Sequence, residues 1–173
     1  VAPIVNFTSG VTDIAMSTIS ACLVKDGSLY CWGNAAVGQI GTGATSGNAG
    51  YPVQVIATAS GTVFTSGVAD VEVSVNNNSV DSVYVTKTDG SLYAFGSQVN
   101  GVLFNSLTTS FSARPIAATG FASGVSEVSA GWGDVCVVKG GALNCVGLSS
   151  SGQLMNNPSA PIAATITTAI TTA

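Results

Sequence analysis

The chain has no histidine, and its 173 residues include only four Lys or Arg and eight Asp or Glu. Without histidine, a Ser-His nucleophile is ruled out and the commonest metal ligand is missing. Charged residues make up 7% of the chain, against roughly 25% in an ordinary soluble domain. A net charge of −4 without any basic cluster argues against nucleic acid and anionic membranes as partners. No run of about 18 apolar residues occurs, so no membrane-inserted helix is expected. Nor is there a phosphate-binding glycine loop. The first residue is Val1, with no charged segment before an apolar one, and it is read as a mature end left by removal of a signal segment.

What is present is Gly, Ser, Thr, Ala and Val, with 46% hydrophobic residues, many of them β-branched. That is enough apolar material to fold, and the preference is for strands. A surface so poor in charge must be covered by hydroxyls and amides, by glycans, or by neighbouring subunits.

Four cysteines fall in two matching stretches, "CLVKDGSLYCWG" (22–33) and "CVVKGGALNCVG" (136–147). Asp26-Gly27 and Gly140-Gly141 suit two-residue type I′ turns, whose central positions both need positive φ. Counting outward from each turn sets Cys22 opposite Cys31 and Cys136 opposite Cys145, at non-hydrogen-bonded sites. There the Cα atoms lie about 4.5 Å apart, within the range a disulfide tolerates. The sequence offers no CxxC and no third ligand for the alternative, a metal or redox site. Disulfides imply an oxidising, extracellular or cell-surface location. In "VTKTDGSLYAFG" the same count from Asp89-Gly90 sets Val85 opposite Ala94, an apolar pair in place of a bridge.

Other landmarks recur with the hairpins. "SGVTDI" (9–14), "SGVADV" (66–71) and "SGVSEV" (123–128) are 57 residues apart each time. "CWG", "AFG" and "CVG" end the hairpins, Gly-rich connections follow, and a proline-led segment opens at Pro3, Pro52, Pro115 and Pro161. A period of 46 to 63 residues built of strands and turns indicates a propeller or β-array.

These residues resemble the regulator-of-chromosome-condensation repeat, whose bacterial members carry a pattern like "C-x-L-x-x-D-G-x-V-Y-C-W-G-x-N-x-x-G-Q-L-G-x-G". Residues 22–43 are very similar to it, and 85–105 and 136–154 are similar more loosely. Three departures stand out: no His precedes the first Cys, the Cys-to-Cys gap is one residue shorter, and the middle copy lacks the bridge. The resemblance implies a β-propeller of four-stranded blades, usually seven. Members include a nuclear exchange factor and secreted forms such as a propeller-type β-lactamase inhibitor. Exchange activity is not implied, because disulfides and a charge-poor surface suit neither nucleus nor chromatin.

The expected fold is therefore all-β: three propeller-type antiparallel blades, a partial or shared propeller, with an extra C-terminal strand. Residues 1–160 form the three-repeat domain, with repeats at about 1–51, 52–114 and 115–160. Residues 161–173 form the further strand. Three blades do not close a ring, since propellers typically need four to eight. The last strand, with Pro161, Ile162, Ile166 and Ile170, would then pair with a neighbouring subunit, clip a shared ring, or be the stub of a larger protein. The first alternative leads the functional reading, a secreted structural subunit self-assembling into an extracellular filament, pilus or sheath. The runner-up is a secreted binding module, an enzyme inhibitor or adhesin, acting through loops on one face. Tyr51, Phe104 and Phe111 are its candidate aromatics.

No enzyme, cofactor or metal site is expected. Asp13, Asp70 and Glu127 sit at equivalent repeat positions, which are expected to be far apart on separate blades. "NNNSVDS" (76–82) lacks the spacing of a calcium loop. Trp32 and Trp132 are assigned to blade cores rather than to sugar stacking. Asn6 and Asn77 begin glycosylation sequons. The partners are the chain itself, and glycans or a surface protein.

Overall fold

The computed structural model describes residues 7–58, 61–75, 80–105 and 111–154, and the backbone of 162–168. Twelve strands group into three antiparallel four-stranded sheets among these residues. Blade 1 holds β1 (Val11–Met16), β2 (Ser20–Lys25), β3 (Ser28–Asn34) and β4 (Asn48–Gln54) in that order. Blade 2 holds β5 (Val68–Val75), β6 (Asp81–Lys87), β7 (Leu92–Ser97) and β8 (Phe111–Ala117). Blade 3 holds β9 (Val125–Ala130), β10 (Asp134–Lys139), β11 (Ala142–Leu148) and β12 (Ile162–Thr168).

The C-terminal strand is thus not an extra element. β12 pairs with β11 of its own chain, Asn144 opposite Thr168 and Leu148 opposite Ile162. It closes blade 3 as β4 and β8 close theirs, so Ile162 and Ile166 belong to the edge strand of blade 3 rather than to a strand beyond the three blades. Pro161 and Ile170 lie outside the described residues, as do Asn6 and Asn77.

The outer hairpins form as the turn chemistry dictates. Asp26 and Gly27 have φ of 48° and 72°, and Gly140 and Gly141 have 57° and 81°. Both cysteine pairs are bridged across their hairpins, each with Cα atoms 4.1 Å apart. The middle hairpin departs from the expected register. Tyr84 faces Ala94, and Val85 faces Tyr93. Thr88 adds one residue ahead of Asp89-Gly90, so the loop becomes a three-residue type with Gly90 alone in the left-handed region (φ 76°). Asp89 Oδ1 fixes it by accepting from Ser91 N–H at 2.9 Å and from the Ser91 hydroxyl. Tyr84 over Ala94, a large residue beside a small one, fills the place of the bridge.

The recurrent glycine after each hairpin has a steric cause. The third and fourth strands slip register at Gly33, Gly96 and Gly147. Gly96 has φ of 90°, and a Cβ there would lie 2.3 Å from the Asp81 carbonyl oxygen. Only glycine permits that conformation and that approach.

The core lies between blades rather than within them. Cys22, Val24, Leu29 and Ile40 of blade 1 pack on Val71, Val83, Val85 and Phe95 of blade 2. Tyr84, Leu92, Leu103 and Phe104 of blade 2 pack on Val128, Val135, Val137 and Val146 of blade 3. Each Gly-rich connection supplies a plug to this layer: Ile40, Leu103 and Leu154, all fully or nearly buried. Phe104, a candidate binding aromatic, is one of these core residues, stacked edge-on against Phe121 with ring centroids 4.9 Å apart.

Candidate assembly surface

β1, β5 and β9 are the innermost strands, and they place repeat-equivalent residues side by side. Asp13 and Asp70 are in hydrogen-bonding contact, with Glu127 and Glu72 close enough to add to the local negative potential. This overturns the expectation that equivalent acids on separate blades are remote: at the hub of a propeller, equivalent positions converge. Each acid follows an irregularity, at Val11/Asp13 in β1, at Val68/Asp70 in β5, and opposite Val138/Lys139 for Glu127 in β9. Burial first, then the Asp13 and Glu127 charges, push the Asp70 carboxyl up to about 6. Glu72 is also raised, by burial and then by Asp70 and Asp13. Asp13 is occupied structurally, its Oδ1 accepting from Ile14 N–H (2.8 Å) and its Oδ2 from Val71 N–H of the next blade (2.7 Å). The chemistry available to the pair is the sharing of one proton across the blade 1–blade 2 boundary.

A second carboxylate spans the same boundary. Asp81, at the start of β6, is fully buried and accepts from the hydroxyls of Ser17 and Ser20. Ser17 Oγ in turn accepts from Ile19 N–H at 3.0 Å and Ser20 N–H at 2.9 Å, which shapes the β1–β2 turn. Burial raises the Asp81 carboxyl, and the two serines partly offset it. Both serines bind Oδ2, and Asp81 Oδ1 is buried without a hydrogen-bond partner among the described residues. Among the described residues no cluster of three or more Cys, Asp or Glu has the arrangement of a metal site.

The exposed apolar residues are unevenly placed. Ile14 and Met16 of β1 are 54% and 67% exposed, whereas their repeat equivalents Val71 and Val73 are 1% and 9% exposed. Val11 is 40% exposed against 4% for Val68. In blades 2 and 3 this face of the inner strand is covered by the preceding blade, and on blade 1 it is open. Periodicity alone marks these residues as core, and only the blade order shows that one set is uncovered. Trp32 is half-buried, but Trp132 is exposed, so it is not the core residue expected from its type. Tyr51 and Phe111 are exposed on the outer strands.

No protein-family model matches the chain, and no curated protein matches it by sequence. Solved structures do match. Human WBSCR16 is 20% identical with a TM-score of 0.72, over 94% of this chain and 38% of that protein. Prp20p from Saccharomyces cerevisiae is 16% identical with a TM-score of 0.73, over 94% of this chain and 39% of that protein. Yeast RCC1 (Prp20), solved bound to Kap60, is 18% identical with a TM-score of 0.69 over similar shares, 94% and 37%. The chain thus spans less than two-fifths of each neighbour's length. It has the fold of three consecutive blades of an RCC1-type β-propeller.

Proposed function

We propose that the chain is a secreted, non-catalytic structural subunit that self-assembles outside the cell into a filament, pilus or sheath. The supporting observation is the open face of blade 1, with Val11, Ile14 and Met16 exposed where their equivalents are buried. A contiguous apolar face of this kind marks an interaction surface. Two disulfide-held hairpins and a charge-poor surface fit an extracellular assembly whose subunits cover one another. The assembly contact in this reading is the open blade face, while the C-terminal strand pairs with β11 of its own blade. Negative-stain microscopy and sedimentation of the native chain test the reading. Filaments that lengthen with concentration are expected, and monomers at every concentration would overturn it. Titration of four free thiols in the native protein would overturn the extracellular assignment.

A second reading, a binding module acting through one face, is favoured by exposed Tyr51 and Phe111. On that reading, immobilised glycans or a surface protein retain the chain, and Tyr51→Ala with Phe111→Ala releases it.

A further inference from the structure

The molecule contains two copies of one seam, and blades 1 and 3 carry groups equivalent to its two halves. Between blades 1 and 2, Leu29 N–H donates to the Phe64 carbonyl and Val68 N–H to the Gly27 carbonyl, both at 2.9 Å. Between blades 2 and 3 the equivalent bonds are Leu92 N–H to the Phe121 carbonyl (2.9 Å) and Val125 N–H to the Gly90 carbonyl (3.0 Å). Phe7, Phe64 and Phe121 are spaced by 57 residues, as are Val11, Val68 and Val125. The Phe7 carbonyl and Val11 N–H are therefore the receiving half on blade 1. Leu143 N–H and the Gly141 carbonyl are the donating half on blade 3. Among the described residues none of these four groups has a cross-seam partner.

The apolar layer is divided in the same way. Blade 3 presents Leu143 and Cys136 of the bridge, with Cys145 and the plug Leu154 buried behind them. Cys136 and Leu143 are only half-buried, whereas their equivalents Cys22 and Leu29 are fully buried under blade 2. Blade 1 presents Val11, Ile14 and Met16. Charge does not obstruct the contact, because Lys139 beside the blade 3 turn is held in its own blade, donating to the Gly120 carbonyl at 2.6 Å.

From this geometry we infer that blade 3 of one copy docks on blade 1 of a second copy, in the register of the inner seams. Leu143 N–H then donates to the partner copy's Phe7 carbonyl, and that copy's Val11 N–H donates to the Gly141 carbonyl. Leu143 and the Cys136 side of the bridge cover Ile14 and Met16. The inference rests on the self-assembly reading and names its partner. A second copy is the occupant because a blade's receiving face is covered, twice within this molecule, by a hairpin tip and a plug. Blade 3 carries both, and its Leu143 and Cys136 are only half-covered. The contact is head-to-tail, so it extends into a series or closes into a ring according to the rotation it imposes.

Thr8 and Ala142 occupy the seam positions that Thr65 and Ser28 hold between blades 1 and 2, where the Ser28 hydroxyl donates to the Thr65 carbonyl at 2.8 Å. The test uses the full chain with Thr8→Cys and Ala142→Cys, treated with a short bis-maleimide, while Ser28→Cys with Thr65→Cys calibrates the reagent within one chain. Covalent dimers and larger species are expected from the double variant and from neither single one. Adding Ile14→Asp and Met16→Asp, both at exposed positions with folding checked by circular dichroism, should lower the cross-linked fraction about tenfold or more. Cross-linking unaffected by those charges would overturn the seam. Assemblies seen by sedimentation without Thr8–Ala142 cross-links would overturn it too, while leaving self-assembly standing. Monomers throughout would overturn both.

Discussion

At the residue scale, the Asp13–Asp70 contact ties stability to pH. Burial and then the Asp13 charge push the Asp70 carboxyl up to about 6 in the folded chain, against an ordinary value of 3.8. The folded state therefore holds more protons than the unfolded state between those values, and stability falls as pH rises through that window. Glu72 and Asp81 are shifted in the same direction. Since the Asp70 carboxyl is partly exposed, solvent screening leaves a contribution of about 1 kcal/mol. Denaturant unfolding should show lower stability at neutral pH than in the carboxylate range, and Asp70→Asn should flatten the dependence. An unchanged pH profile in that variant would place the coupling elsewhere. A second residue-scale expectation concerns Gly96. A methyl group there meets the Asp81 carbonyl at 2.3 Å in a positive-φ bulge, so Gly96→Ala should cost about 2 kcal/mol or more by chemical denaturation. Both features were only half legible in the sequence. The recurrence of Gly after each hairpin was plain, but its cause is a backbone approach across strands. Likewise, the acids were recognisable as equivalent. Their convergence follows from inner strands sharing a hub, which spacing along the chain does not encode.

At the element scale, the hairpins show how one residue changes a register. The sequence places both cysteine bridges because a two-residue turn with two positive-φ centres leaves a single pairing. In the middle hairpin the Asp-Gly signal is the same, yet Thr88 lengthens the loop and moves the pair to Tyr84 and Ala94. Two engineered cysteine pairs separate the registers. Tyr84→Cys with Ala94→Cys should form an internal disulfide, detected by mass spectrometry after alkylation, whereas Val85→Cys with Ala94→Cys should remain reduced. The opposite pattern would restore the two-residue count. Tyr84 is fully buried, with its hydroxyl close to Ser82 and Ser74 and its ionisation suppressed by burial. Its replacement by cysteine therefore also empties part of the seam between blades 2 and 3. The place of β12 in blade 3 is hidden in the sequence for a related reason. Proline-led strands outnumber the hairpins by one, and the sequence does not say which end of the series holds the surplus.

At the scale of the whole molecule, the core clusters among the described residues join adjacent blades, so stability is expected to be a sum of blade and seam contributions in the manner of a linear repeat array. Association through a third seam would be apolar at its centre and supported by backbone hydrogen bonds. Raising NaCl from about 0.05 to 0.5 M should therefore leave the sedimentation profile nearly unchanged. Cooling from 25 to 4 °C, roughly the range over which apolar association weakens, should shift it towards smaller species. Strong dissociation by salt would instead point to the hub carboxylates or the hairpin lysines as the contact.

The two bridges also determine how such a chain would respond to tension. Each joins cysteines nine positions apart at the base of a hairpin. A pull along the backbone passes through the sulfurs, and roughly 30 Å of contour stays hidden behind each bridge at the extension of a stretched residue. Blade 2 has Tyr84 and Ala94 at that place, held by packing alone. Under load the bridged hairpins of the outer blades stay closed, whereas the middle hairpin has no covalent bridge to hold it. The missing third bridge would then let the subunit lengthen at its centre while both of its docking ends keep their shape.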